Sequence, residues 1–469
     1  MISPFPRPLA GAVVALLASP ALGQGLVTPE PQPLMGEPVR GLTADEADRF
    51  LAGLAAFSAP VLPADGAGPI FNELTCAGCH NVPAVGGFGA RRVTRFGIAA
   101  TSTTPFQGLE GLGGTLLQDQ SLDIACRETL PAQANHTALR GTPIVFGLGL
   151  IEAIPDSVLV GRANNQPSGV VGRIHSVIPF ETPGGVRRVG RFGWKGGIAT
   201  VQSFSLDAAL NEMGLTSQFL PNENAPNGDL ALLAQCDTVA DPEDVPDAQG
   251  VRRTDRFTDF QRLLAPPPQT PKSGMTGEAI FEAIGCADCH VGAYTTGVVA
   301  EAALSNQLIR PYSDFLLHDM GDLGDGIVEG EATETEMMTR TLWGLAQRPA
   351  LLHDGRATGG GSFELDVELA IAQHGGTALP SAMAYQALTQ DDKDFVLAFL
   401  GSLGRAEFDW ETNNTIDEID WFFLEPLVTG PAPATPLTPD DEGAIGDVDQ
   451  DGDFDLVEFG LLQRVWTGQ

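Results

Sequence analysis

Cys286-Ala287-Asp288-Cys289-His290 decides the reading of this chain. A near copy stands upstream, Cys76-Ala77-Gly78-Cys79-His80. Each is C-x-x-C-H, the pattern for covalent attachment of a c-type haem. Two thiols about one helical turn apart can add to the two vinyl groups of one porphyrin. The His that follows then lies under the iron and supplies its nitrogen. The flanks repeat as well: Ile70-Phe71 precedes Cys76 at the same spacing as Ile280-Phe281 precedes Cys286. This internal repeat predicts two haem modules in one chain. A zinc site made from two C-x-x-C pairs does not need a His after each second Cys. Redox or disulfide pairs do not need one either.

The chain has 469 residues, enough for two or three domains. Acidic residues outnumber basic ones 60 to 26, for a net charge of −34. That balance excludes nucleic acid and anionic membranes as partners. It suits a basic electron-donor protein, and equally a merely solvated acidic surface. Residues 1–23 have the layout of a secretory signal peptide. Arg7 is the positive region, Leu9 to Leu17 the apolar one, and Ala21-Leu22-Gly23 the cleavage site. The expectation is an exported, periplasmic or extracellular protein with no transmembrane span in its mature form. Of six cysteines, Cys126 and Cys236 lie outside the haem motifs. In an oxidising compartment they can pair, or they can stay as buried thiols.

The first module is expected over residues 24–265. Thr43 and Glu46 read as a capping box ahead of a helix through Phe50, Leu51 and Leu54. Ile70 to Thr75 is expected as a short helix, and Gly86 to Gly97 as loop. Gly161 to Gly197 mixes Gly with β-branched residues and predicts short hairpins. Arg187, Arg188 and Arg191 there face either haem propionates or solvent. Ala265-Pro266-Pro267-Pro268 to Ser273 reads as a stiff boundary. The second module is expected over 274–403, with Asp391 to Leu403 as its closing helix. Residues 404–440 read as an acidic, Pro-rich linker. In the tail, 441–469, Asp447, Asp449, Asp451, Asp455 and Glu458 fall at positions one, three, five, nine and twelve of an EF-hand calcium loop. Gly452 sits at its tight turn, and Asp453 offers a backbone carbonyl. The tail resembles one repeat of dockerin-like calcium modules.

Longer motifs carry a family resemblance. Besides both C-x-x-C-H pentapeptides they are Gly190-Arg-Phe-Gly-Trp-Lys195, Pro311-Tyr-Ser-Asp-Phe-Leu-Leu-His-Asp-Met320, Leu352-His-Asp-Gly-Arg-Ala357 and Gln373-His-Gly-Gly376. Over roughly residues 40 to 403 the chain resembles the di-haem oxidoreductases, relatives of bacterial di-haem cytochrome c peroxidases. The resemblance implies a mainly α fold of two cytochrome c-like domains, here with short β-hairpin insertions and an added EF-hand-like module. It implies two haem c groups, to which the tail adds calcium.

The resemblance also bears on the sixth ligands. In related peroxidases one haem takes a Met from the end of a helix. Ser203-Phe-Ser-Leu-Asp207 aligns with Ser362-Phe-Glu-Leu-Asp366. With one residue of slippage, Met213 then falls opposite His374. Met213 is expected on the iron of His80, and His374 on the iron of His290. A thioether raises the potential and an imidazole lowers it. This order is the reverse of that in the related peroxidases, whose low-potential haem lies in the first domain. His353 matches a position near the haem in the family, with Asp354 and Arg356 orienting it. His353 and Glu212 are the candidate acid–base groups. His318 and Met320 are further candidates around the haems, while Trp194 and Trp343 are candidate relays or core. His136 and His175 have no supporting motif.

Two functions follow. One is peroxide reduction with electrons from a donor protein or small redox carrier. The other is a non-catalytic di-haem carrier docked through its calcium-binding tail. Either way, replacing Cys76 and Cys79 by Ser should halve the haem stain retained on a denaturing gel. A fully retained stain would refute the attachment.

Overall fold

The computed structural model describes residues 29–468, so the expected signal peptide at 1–23 lies outside them. Helix outweighs strand, and the strands form only two- and three-stranded sheets. Among the described residues no helix is long and apolar enough to cross a membrane.

Thr43 and Glu46 make the expected capping box on the helix Ala44–Ser58. The apolar face of this helix meets the helix Arg253–Leu263. The rings of Phe50 and Phe57 lie 5.3 and 4.8 Å from that of Phe260. A second helix pair repeats the arrangement. Thr276–Ala283 lies on Gln390–Gly401, with Phe281 and Phe399 rings 5.4 Å apart. Each pair carries a Phe to its own haem motif: Phe57 lies 6.0 Å from the His80 ring, and Phe281 6.2 Å from that of His290.

Several local expectations fail. Ile70–Phe71 is a strand paired with Gln120–Ser121, and only Cys76–Cys79 is helical. Gly89–Gly97, expected as loop, is a strand on His136–Thr142. A nearby partner would have made a visible hairpin; this one is remote in sequence. Gly89 allows a close approach, since a Cβ there would sit 1.8 Å from the Cys79 carbonyl oxygen. The strand therefore lies directly on the first haem motif. Ser176–Val177 and Arg188–Val189 form a local hairpin, but Gly172–Arg173 pairs with the distant strand Leu317–Asp319.

The boundaries differ too. The first core takes Tyr294, Phe315, Met338 and Trp343 from beyond residue 274. The second runs from Met275 to Leu403. Pro267 to Pro271 is buried, and Gln269 bridges to Leu403, so the proline run is not an exposed spacer. Residues 404–440 are not a free linker either. They contain the helix Glu418–Leu424, and Phe408, Ile416 and Leu424 join Phe454 and Leu461 in a third core. Cys126 and Cys236 are disulfide-bonded, with Cα atoms 6.0 Å apart.

A buried ion cluster joins the two halves. Arg140 reaches Asp325 at 2.7 Å and Glu329 at 2.5 Å, and Lys195 reaches Asp325 at 3.0 Å. Lys195 is fully buried and also donates to the carbonyls of Thr333 and Glu336, at 2.8 and 2.7 Å. Burial pushes the Glu329 carboxyl up, but Arg140 outweighs it and holds the group at about 2. Removing one partner of such a cluster strands buried charge, at a cost of about 3–5 kcal/mol. Asp325→Asn should therefore lower the unfolding free energy by about that amount in a denaturant titration. A change of a few tenths of a kcal/mol would show the cluster to be dispensable.

Candidate functional site

Two cavities flank the repeated motif. The first encloses about 1170 Å³ of atom-free space, open solvent at its mouth included. Cys76, Cys79, His80 and Met213 all line it. The second encloses about 1430 Å³ and is lined by Cys286, Cys289, His290 and His374. The two cysteine pairs lie in separate cavities, so they do not combine into one zinc site.

Both motif histidines are oriented by the backbone. His80 Nδ1–H donates to the Gly87 carbonyl at 3.2 Å, and His290 Nδ1–H to that of Tyr312 at 3.0 Å. That leaves Nε2 as the free lone pair. Burial depresses both imidazoles to about 4, so they are neutral and able to ligate at pH 7.

The helix Val201–Met213 ends with Met213 in the first cavity, and Met213 is only 2% exposed. The helix Phe363–Ala372 stops two residues before His374. His374 Nδ1–H donates to the Ala370 carbonyl at 2.8 Å. The His290 and His374 rings lie 6.5 Å apart, centre to centre. One metal ion with metal–nitrogen bonds of about 2.0–2.1 Å fits between two imidazoles at that spacing. His318 is not available in this way: Nε2 meets Asp314 at 2.8 Å and Nδ1 the Val171 carbonyl at 3.1 Å.

The cavity walls hold buried cations, and those of the second cavity lack counter-ions. Arg340 and Arg348 line the second cavity, and neither meets a carboxylate among the described residues. Burial depresses them to about 10 and about 9. Arg348 Nε has no hydrogen-bond partner. In the first cavity Arg91 Nε and Arg95 Nε are likewise unpartnered, although Arg91 also reaches Asp119 at 2.5 Å. Desolvated cations of this kind fit an acidic group of a bound ligand, as two propionates would supply. The arginines expected for that task are engaged elsewhere. Arg187 pairs with Glu331, Arg188 and Arg191 pair with Asp156, and none of the three lines a cavity. Nothing local in the sequence marks Arg340 or Arg348, because lacking a partner is a three-dimensional property.

The two candidate acid–base groups lie apart. His353 is in the second cavity, kept neutral by burial, with its ring 6.2 Å from that of Trp194. Asp354 pairs with Arg356 at 2.6 Å, and neither hydrogen-bonds the His353 imidazole. Glu212 is in the first cavity; burial raises its carboxyl, and Asn72 donates to it at 2.8 Å. Asp207 stands there too, pushed by burial to about 6. It was visible in the repeat, opposite Asp366. Trp194 lines both cavities, fixed by Nε1–H donation to the Gly141 carbonyl at 3.0 Å and by Arg340 at 5.3 Å over its ring. Trp343 lines neither and belongs to the first core. Met320 faces the second cavity. His136 and His175 hydrogen-bond to backbone away from both.

In the tail, Asp447, Asp449 and Glu458 each bring a carboxylate oxygen within 4.8 Å of the others, as do Asp453, Asp455 and Glu458. Asp451 accepts from the Asp453 amide at 3.2 Å.

The family described as "Di-haem oxidoreductase, putative peroxidase" matches residues 127–403, more than half of the chain. The chain belongs to the di-haem oxidoreductases. The matched stretch holds the second C-x-x-C-H, Met213, His353 and His374, and the first motif precedes it. No curated protein matches. Among solved structures, Kuenenia stuttgartiensis hydrazine synthase pressurized with xenon is 13% identical, with a TM-score of 0.35, over 85% of this chain and 100% of its own. A MauG-like protein associated with microbial copper homeostasis is 13% identical, with a TM-score of 0.33, over 79% and 94%. Neither is close enough to bear on the fold. In this di-haem oxidoreductase Arg348→Met removes one cation from the second cavity. Were a haem held there, the change should lower its reduction potential by tens of millivolts and leave the other haem unchanged. Equal shifts in both would refute the placement.

Proposed function

We propose an exported di-haem c-type cytochrome oxidoreductase that reduces peroxide with electrons from an external donor. Cys76, Cys79 and His80 hold one haem, and Cys286, Cys289 and His290 the other. Met213 and His374 would be the second protein ligands of the respective groups. Haem supplies one-electron redox chemistry at its iron when bound. The observation that carries the reading is the 6.5 Å pairing of His290 with His374, each Nδ1–H already committed to a backbone carbonyl.

The protein groups divide the work. Arg340 and Arg348 neutralise acidic groups at the second haem, and Arg91 and Arg95 do so at the first. His353 is neutral and faces the second cavity, so it can take a proton at a ring nitrogen and return it. Glu212 and Asp207, held protonated-prone by burial, serve the first cavity. Trp194 places a π-system in the wall common to both. His374 sits just past the end of its helix; a peroxidase would need this side chain, or Met213, to leave a haem accessible to peroxide.

The same pairing favours a second reading: a carrier with both irons permanently six-coordinate. Peroxide-dependent loss of the second haem's bis-His spectrum separates the two. A redox titration should show two steps. Met213→Ala should lower the upper one. His374→Ala should perturb only the lower one and admit an added ligand such as cyanide. Identical potentials, or an unchanged His374→Ala spectrum, would overturn the ligand assignment.

A further inference from the structure

The acidic loop at 447–458 contains a carboxylate oxygen that has no partner. Glu458 is only 1% exposed. Its Oε2 accepts from the Asp455 amide at 3.0 Å, while Oε1 accepts nothing. Glu458 belongs to the group that gathers the Asp447 and Asp449 carboxylates. A buried acceptor without a donor is costly, and so are converging carboxylates without a counter-charge. One hard divalent cation removes both costs.

The residues before it repeat the loop with their carboxylates satisfied. Asp409 accepts from the amides of Asn413 and Asn414, both at 2.9 Å. Asp447 likewise accepts from Asp451 and Gly452, both at 3.1 Å. Asn414 has φ +65° where Gly452 has φ +90°. Asp417 accepts from Ile419 at 2.9 Å, as Asp455 does from Val457 at 2.7 Å. Ile416 and Phe454, at the same loop position, are buried in the same core. The difference lies at the last position. Asp420 is one methylene shorter than Glu458. Its oxygens accept from Asp417 at 2.8 Å and Trp410 at 2.7 Å, leaving neither unpartnered.

We propose that residues 404–468 form one paired-loop unit holding a single calcium ion in the 447–458 loop, with 409–420 as its metal-free mate. Several carboxylates around an irregular backbone loop suit calcium better than the strict octahedron of magnesium. The unit is tied to the rest of the chain. Thr276 donates to Asp440 through Oγ1 at 2.6 Å and through its amide at 2.9 Å. Gln32 donates to Glu407 through its amide and through Nε2, both at 2.9 Å. The ion therefore stabilises a tail that is docked on the redox domains.

The test uses full-length, haem-loaded protein stripped with a chelator and titrated calorimetrically with calcium alone. The expected result is one ion per chain and calcium-dependent resistance of the 404–468 region to proteolysis, with haem spectra unchanged. Glu458→Gln should weaken binding by tenfold or more, and Asp409→Asn should keep one ion. Should Glu458→Gln misfold, Asp449→Asn at the exposed position provides the same reading. No calcium heat, two ions per chain, equal affinity for magnesium, or loss of binding in Asp409→Asn alone would each overturn the proposal.

Discussion

The Asp325 carboxylate, held between Arg140 and Lys195, fixes the relation of the two halves. Arg140 comes from the strand laid along the first cavity, and Lys195 directly follows the Trp194 that lines both. Asp325 and Glu329 come from the segment beyond the second haem motif. Three of these side chains are almost completely shielded from water. Such a cluster adds little net stability over a well-packed apolar contact, but it penalises any misplacement heavily. Its contribution is therefore positional. It holds one indole in one place between two cavities, where a purely apolar interface would tolerate sliding.

Charge is divided sharply between surface and interior. The chain carries a net charge of −34, yet the cavity walls present Arg91, Arg95, Arg340 and Arg348. Where a cation is structural it has its carboxylate, as Arg188 and Arg191 have Asp156. Where it faces a cavity, at Arg340 and Arg348, it has none. Arg340 and Arg348 have only the Gly193 and Thr341 carbonyls and the faces of Trp194 and Phe88, so an acidic ligand group would lower the cost of their burial. The pattern of missing partners is thus as informative as the pattern of ion pairs.

What was legible in the sequence follows the same physical line. The C-x-x-C-H pentapeptides stand out in the sequence because their residues are contiguous, and each lines a cavity of its own. The repeat set Met213 opposite His374, and each lines the cavity of its own motif. The strand Gly89–Gly97 was not, since its partner is remote and its glycines mimic loop. The fold of 404–440 was hidden because Asp409 and Asp420 look like solvent-facing acid. In fact both are fully buried and accept backbone amides. Arg187, Arg188 and Arg191 stayed undecided between propionates and solvent because a sequence shows charge but not its neighbours.

The inequality of the two sites comes from a small backbone difference. The helix Val201–Met213 runs through its ligand candidate, so Met213 is held by regular helical backbone before the αL turn at Gly214. The helix Phe363–Ala372 ends early, and His374 follows a one-residue cap, restrained by its own bond to Ala370. Gly375 and Gly376 come next, and Gly376 has positive φ. A thioether at the end of a continuous helix is positioned permanently. An imidazole past a helix end is held instead by single hydrogen bonds, its amide to the Ile371 carbonyl at 3.1 Å and its ring to that of Ala370 at 2.8 Å. One position of an internal repeat thus carries a side chain set in regular helical backbone in one half and a side chain just past a helix end in the other.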